Sequence, residues 1–454
     1  MREDGRWDGG RRLAGWWSWA EWAYAVVLVG ALTQGPVVSL WNRQTQDGIL
    51  ASPTVAAEVT YLAVQLPAVA LLARRARRGV LSARAVAALG GFGVLVLLST
   101  VWSTYRIHTV VNAIAFAVTI LAGCYLAIAF TGVRFPTLVL LAMQPGLIAS
   151  EWAVRRHWLA SKDHLDRRWT GIYYNRNSLS PPAVVGALTA LCLLVWLVRR
   201  RPSPTRWLLA AGTVLLGAFD LRLHLLAQSA TQTAASASFL AAASAFLVAR
   251  AVVRRRPSLG RLVPLAYAVL VPLGLLAALG LVRSVGGIDG RQAGFDGRTI
   301  YWSQSWRGVK VHPLRGWGWM AAWRTTSFRV GLPDLLSTEY WAHSSYFDVI
   351  LGLGVVGALV FCVVIFVASA NAGRCGMGAD GIDLYRPALA VLVLTAATQE
   401  SFLVGGHFYF LLLVACCVAV PRGRLSDRSS KAVATRVNGS RDTPAMPAAE
   451  QSSC

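Results

Sequence analysis

The sequence is short of charge. Asp, Glu, Lys and Arg make up 14% of its 454 residues, against about 25% in soluble domains, so a water-facing enzyme of two or three domains is excluded. Acidic residues are scarcer than basic ones, 21 against 44, and only three of the 44 are lysines. No Asp-x-Asp pair occurs, which removes the carboxylates that usually hold a metal–nucleotide-sugar complex. Ser-x-x-Lys, Gly-x-Ser-x-Gly, His-Glu-x-x-His and P-loop patterns are missing too, excluding the common hydrolase, zincin and ATPase readings. None of the seven cysteines falls in a segment placed outside the cell, and no Cys-x-x-Cys or Cys/His spacing suggests a metal.

Apolar sequence is abundant. At 55% it allows on the order of a dozen spanning helices of roughly 20 residues. Apolar stretches recur at 22–41, 52–73, 85–103, 109–130, 136–153, 181–198, 207–226, 229–249, 262–282, 346–369, 387–403 and 406–420. They predict an all-α, polytopic bundle of about 12 spans, or ten or eleven if the short last two or the charged 207–226 stretch fail to cross. The N-terminal stretch lacks a small-residue cleavage site and reads as an uncleaved first span. Short loops rich in arginine (Arg74 to Arg78, Arg199 to Arg201, Arg250 to Arg256) place themselves and both termini in the cytoplasm. The basic balance orients the chain in a bilayer, and no nucleic-acid partner is expected.

The predicted organisation is a cytoplasmic segment 1–21, spans one to nine over 22–282, an extracytoplasmic loop subdomain 283–345, spans ten to twelve over 346–420, and a disordered cytoplasmic tail 421–454. Two outer segments, 154–180 and 283–345, each carry a net charge of +4. Arginine's planar fork suits a diphosphate held at the membrane surface, although attraction to anionic headgroups accounts for the same charge. The larger loop holds six of the 18 tryptophans. Trp302 and Trp317 are candidates for stacking on sugar rings, and interfacial belt positions are the alternative. Within it, Arg298, Tyr301, Trp302, Ser305 and Trp306 are spaced as one helical face, which Gly308 and Pro313 are expected to end.

His343, immediately before the tenth span, stands where a membrane-anchored substrate would meet a soluble hydroxyl, so it is a candidate general base or else an interfacial histidine. His312, before Pro313, is a weaker candidate. Asp220, Arg222 and His224 interrupt an apolar segment. Asp220 and His224, four apart, could pair and leave Arg222 for a ligand, or the trio marks the rim of the membrane.

Four segments, "WSTYRIHT" (102–109), "GIYYNRNSLS" (171–180), "GRTIYWSQSW…HPLRGWGW" (297–319) and "YWAHSSYFDVILGLGVVGALVF" (340–361), resemble in order and spacing the O-antigen ligase and O-antigen polymerase family of membrane glycosyltransferases. The resemblance is strongest over 297–361 and extends over about 85–420. It implies transfer of a glycan from undecaprenyl diphosphate to a hydroxyl of a glycan or lipid-glycan acceptor, by a metal-independent, inverting displacement that needs no cofactor. It maps the family's loop histidine onto His343 and its loop arginine onto Arg298. Two positions depart from the pattern: Ser344 replaces an asparagine, and Ala230 replaces a basic residue. The second departure leaves Arg176 and Arg222 as substitutes for a second phosphate-binding arginine, with Arg315 as a further loop cation. The site would face outward from the cytoplasmic membrane. A polymerase of surface polysaccharide is preferred over a ligase, since the arginine-rich composition hints at a lineage without an outer membrane. A transporter of lipid-linked saccharide or a non-catalytic scaffold of an assembly complex is the alternative. A transporter would spread charge through the spans, and a scaffold would tolerate loss of His343.

Overall fold

The computed structural model describes residues 9–41, 55–76, 81–157, 162, 168–271, 273–274, 298–329, 341–378, 380–403 and 406–420. Residues 272 and 275–282 of the expected ninth span, residues 283–297 and 330–340 of the large loop, and the tail 421–454 therefore lie outside the described residues.

The chain is built from helices: α1 (Gly9–Ala31), α2 (Gly35–Trp41), α3 (Val55–Ala76), α4 (Ala83–Leu98), α5 (Arg106–Ala129), α6 (Arg134–Arg155), α7 (Arg176–Val198), α8 (Pro204–Ala227), α9 (Ala230–Arg255), α10 (Arg298–Val311), the single turn α11 (Thr326–Arg329), α12 (Ser345–Gly376), α13 (Tyr385–Ala396) and α14 (Phe408–Cys417). No strand occurs among the described residues, where Lys162 and Trp169 form one isolated bridge. Eight of the described helices are long and apolar enough to cross a membrane, and α1 with α2, bent by 74°, would make a ninth. This is an integral membrane protein of the all-α polytopic class, as the hydropathy pattern predicted. The two C-terminal apolar stretches form helices shorter than these. The stretches expected as spans eleven and twelve are the 12-residue α13 and the 10-residue α14. Both are buried throughout most of their length, packed against α9 and α5 respectively. A helix of ten or twelve residues is about 15–18 Å long and cannot cross the hydrocarbon alone.

The longest helix, α12, is broken. Gly354 has φ 66° and ψ −165°, a conformation that only glycine adopts readily. Backbone groups released at the break must find partners, because water is scarce at membrane depth. They find the turn 313–318. The Trp317 and Gly318 amides donate to the Leu351 and Gly352 carbonyls (3.0 and 2.9 Å), and the Val355 and Val356 amides donate to the Pro313 and Leu314 carbonyls (2.8 and 3.3 Å). The link after α4 and the first turn of α5 grip the other side of this turn. The Trp102 indole donates to the Arg315 carbonyl (2.8 Å), the Thr104 amide to the Trp317 carbonyl (3.3 Å) and the Thr109 hydroxyl to the Trp319 carbonyl (3.0 Å). Trp319 completes the docking. It is 1% exposed and lies edge-on to Phe116 and Phe92, with ring centroids 5.3 and 6.2 Å away. Three of the four segments that carry the family resemblance thus meet at one joint.

The joint predicts the effect of adding one methyl group. A Cβ at Gly354 would run into the Leu314 carbonyl and sit 2.6 Å from the Arg315 nitrogen. Gly354→Ala should therefore cost roughly 1–3 kcal/mol from backbone strain alone. It should also loosen the loop, read as a lower melting temperature and faster proteolysis within 298–329. A variant that melts and cleaves like the wild type would show that the joint does not hold the loop.

Candidate functional site

The site lies where α10, the N-terminus of α12 and the link between α13 and α14 converge. Arg298, the first residue of α10, is 8% exposed, and its guanidinium is ion-paired with Glu400. His343 Nδ1 lies 3.5 Å from the other oxygen of the same carboxylate, within ion-pair range but too long for a tight hydrogen bond. Glu400 therefore bridges the two residues that the sequence singled out. Arg298 Nη1 makes longer contacts to Gln399 Oε1 (3.4 Å) and Thr231 Oγ1 (3.5 Å), and the Thr231 hydroxyl donates to Gln399 (2.9 Å).

Backbone contacts fix this geometry. The Ser345 amide opens α12 by donating to the Ala397 and Glu400 carbonyls (3.0 and 3.2 Å), and the Ser345 hydroxyl donates to the Glu400 carbonyl at 2.9 Å. Asp348 Oδ1 accepts the Ala342 amide at 2.9 Å and closes the turn that presents His343. His343 takes a left-handed conformation, φ 52°, which histidine tolerates better than most residues. Its ring packs beside Tyr301 and Trp341, with centroids 5.1 and 6.3 Å away.

Glu400 stands on the link after α13, outside the spanning helices. Burial pushes its pKa up, but the Arg298 charge and the contact with His343 outweigh that and hold it below the ordinary glutamate value. The carboxylate is thus ionised at neutral pH. It balances Arg298 and can stabilise a positive charge that forms on the imidazole.

Residues 223–362 match the O-antigen ligase family. This bears out the resemblance drawn from the sequence motifs, and the matched stretch contains Thr231, Arg298, His343 and the α12 break. Among relatives, the exopolysaccharide production protein ExoQ of Rhizobium meliloti (strain 1021) is 27% identical over 223 residues, covering 45% of this chain. The chain spans 47% of that protein's length. Glu400 lies beyond the family match. Sequence reasoning missed it because it falls inside 387–403, an apolar stretch counted as a span.

The other candidate residues are scattered. Trp302 is half-buried and stacks on Phe347 (5.8 Å, 18°), one turn along α10 from Arg298. Trp317 is 7% exposed, donates its indole N–H to the Gly308 carbonyl (3.0 Å) and packs against Phe328 and His312, as a core residue of the loop rather than an open stacking platform. Arg315 is exposed on the docked turn. Arg176 opens α7 beside Asn177, whose Oδ1 accepts the Ser229 hydroxyl (2.9 Å) two residues before Thr231.

Two expected arrangements differ from the structure. Asp220 and His224 do not pair: Asp220 accepts from Gln144 (3.0 Å), His224 lies 2.6 Å from the Ser180 hydroxyl, and Arg222 is ion-paired with Glu151 at 2.6 Å. Each finds its partner on α6 or α7, because α8 packs there along most of its length. Helix α10 passes Gly308 and ends at Val311, two residues before Pro313 as expected, but its buried face differs from the one predicted. Gly308 allows Phe328 and Leu351 to approach the helix. Trp306 lies about 80° round from Arg298 at 3.6 residues per turn, and it is 50% exposed. The buried face is Arg298, Tyr301, Ser305 and Val309.

Removing the bridging charge should be costly, because Glu400→Gln leaves Arg298 buried without its counter-ion. About 3–5 kcal/mol of stability should be lost at neutral pH. A carboxylate whose folded-state pKa is lowered contributes stability above the unfolded value, and that contribution fades as pH falls through the folded one. The gap in melting temperature between wild type and Glu400→Gln should therefore close below the ordinary glutamate range. A gap that persists at low pH would assign the effect to packing.

Proposed function

We propose that this protein transfers a saccharide from a polyprenyl diphosphate, undecaprenyl diphosphate in a bacterial membrane, to a hydroxyl of a glycan or lipid-glycan acceptor, in the production of surface polysaccharide. The observation that carries the reading is the Arg298–Glu400–His343 bridge: a cation and an imidazole held on one buried carboxylate, beside a loop docked on the bundle. The O-antigen ligase match and the likeness to ExoQ support a role in polysaccharide production.

In the proposed reaction the acceptor hydroxyl attacks the anomeric carbon on the face opposite the diphosphate and inverts it. His343 takes the hydroxyl proton as the C–O bond forms, and Glu400 stabilises the imidazolium that results. The glycosyl–oxygen bond to the diphosphate breaks, and its electron pair leaves with the phosphate. Arg298 offsets that charge. A guanidinium has five N–H donors, so contacts to Glu400, Gln399 and Thr231 leave donors for a phosphate oxygen. The diphosphate leaving group supplies the driving force without a nucleotide or metal. Glu400 orients and Arg298 stabilises, so the two side chains serve different steps.

The test is a transfer assay with purified protein and a lipid-linked donor. Positioned proton transfer is worth about 10²–10⁴-fold in rate, so His343→Ala should lower turnover within that range while donor binding changes little. Arg298→Lys keeps the charge but loses the fork, and it should weaken both donor binding and turnover. His312→Ala should be mild. Wild-type turnover by His343→Ala would favour a scaffold or transporter.

The sidedness is part of the proposal: the loop 283–345 faces outward from the cytoplasmic membrane, and the turn between α7 and α8 faces the cytoplasm. Single cysteines at Ser303 and Ser203 in a cysteine-free background should label from opposite sides with an impermeant thiol reagent. Labelling from one side would reject this orientation.

A further inference from the structure

A cavity that the function above does not use lies at the other end of the bundle. It encloses about 890 Å³ between α7, α9 and the start of α13, within the range of small-molecule sites. On α9 its lining runs from Phe239 to Arg254 in steps of one and three residues, and on α7 from Leu191 to Arg200 in the same way, so each helix gives one continuous face. Thr231, which touches Arg298, and Arg254 are 23 positions apart on the same helix, about 34 Å at 1.5 Å per residue. The cavity is therefore on the opposite membrane face from the Arg298–Glu400–His343 site.

Its two halves differ in chemistry. The mouth carries Arg199, Arg200, Arg250 and Arg254 against the carboxylate of Asp380, with Asp383 close enough to act on Arg250. The Asp380 carboxylate is already shared by Arg200 (3.0 Å) and the Trp196 indole (3.1 Å), and Arg250 donates to the Gly376 and Asp380 carbonyls (2.8 and 3.1 Å). Arg199 and Arg254 are exposed. Below them the walls are Leu191, Val195, Leu240 and Leu247, closed by the buried rings of Phe239 and Tyr385. From Arg250 down to Phe239 the slot is about 16 Å deep, roughly half of the ~30 Å hydrocarbon core, which is the depth of one leaflet.

A basic mouth over an apolar slot one leaflet deep matches a lipid with a phosphate headgroup. We propose that this cleft binds one anionic glycerophospholipid, its phosphate on Arg199 and Arg254 and one acyl chain along the α7–α9 slot. Charge at the end of a span attracts acidic lipid diffusely. The cleft adds a fixed pair of guanidiniums and a cavity for the chain, so it should discriminate by headgroup and be sensitive to filling. The inference depends on the membrane-spanning reading of α7 and α9 and not on the transferase reaction.

The full chain, purified in neutral detergent, would be titrated with dioleoyl-phosphatidylglycerol or dioleoyl-phosphatidylcholine and observed by native mass spectrometry. One phosphatidylglycerol should be retained and phosphatidylcholine should not. The double variant Arg199→Ala/Arg254→Ala should lose at least about tenfold in affinity, as expected for two charge-assisted contacts. Ser244→Trp, which fills the slot without changing charge, should lower retention as well, whereas Arg255→Ala, next to the cleft but not lining it, should not. Folding of each variant would be checked by its melting temperature. Equal retention of the two lipids, or an equal loss in Arg255→Ala, would overturn the proposal in favour of diffuse attraction. Displacement of phosphatidylglycerol by millimolar inorganic phosphate, with no effect of Ser244→Trp, would reassign the arginines to a free-phosphate site. Preferential retention of undecaprenyl phosphate would overturn the glycerophospholipid as occupant.

Discussion

A backbone amide or carbonyl at membrane depth must be bonded, and this requirement shapes the half of the molecule that holds Arg298 and His343. Where α12 breaks at Gly354, the bonds it gives up are taken by the turn 313–318, which is held in turn by Trp102, Thr104 and Thr109. The extramembrane loop is thereby fastened to the bundle by main-chain bonds and by Trp319 sunk among Phe92 and Phe116. The N-terminal end of the broken helix carries the His343 turn, and α10, packed on α12, carries Arg298. Both candidate side chains are therefore positioned by the same joint.

Within that frame the charge balance is local. Arg298 is nearly inaccessible, and an unpaired guanidinium there would be untenable. Glu400 compensates it and reaches His343 with its second oxygen. The α12 N-terminus supplies the other restraint, since the Ser345 amide and hydroxyl both donate to the Glu400 backbone carbonyl. A single short link, 397–403, thus carries the counter-ion and the main-chain acceptors that place α12. The opposite end of the bundle has a different balance: at the α7–α9 cleft, arginines exceed carboxylates and open toward the bilayer.

Hydropathy located the long helices well, since eight of the expected spans appear at nearly the expected positions. At 387–403 and 406–420 the apolar stretches are two short helices buried in the protein interior, α13 and α14. A sliding reading of apolarity cannot tell lipid contact from protein contact. The same limit hid Glu400, one acidic residue inside an apolar run. The tryptophan cluster was legible as unusual but not as to purpose: Trp317 and Trp319 are core anchors, while Trp306 stays exposed.

Composition and periodicity were enough to determine an all-α membrane protein with arginine-rich ends and a tryptophan-rich loop, because burial in lipid imposes length and apolarity on each span separately. Motif order was enough to single out Arg298 and His343. Only the tertiary structure decided that Glu400 bridges them, that Arg222 turns to Glu151 and that Asp220 and His224 bond to different helices. The reason is that partner choice for a buried charge is set by which helices pack together. Arg298 and Glu400 are 102 positions apart, and only the packing of α10, α12 and the 397–403 link brings them into contact.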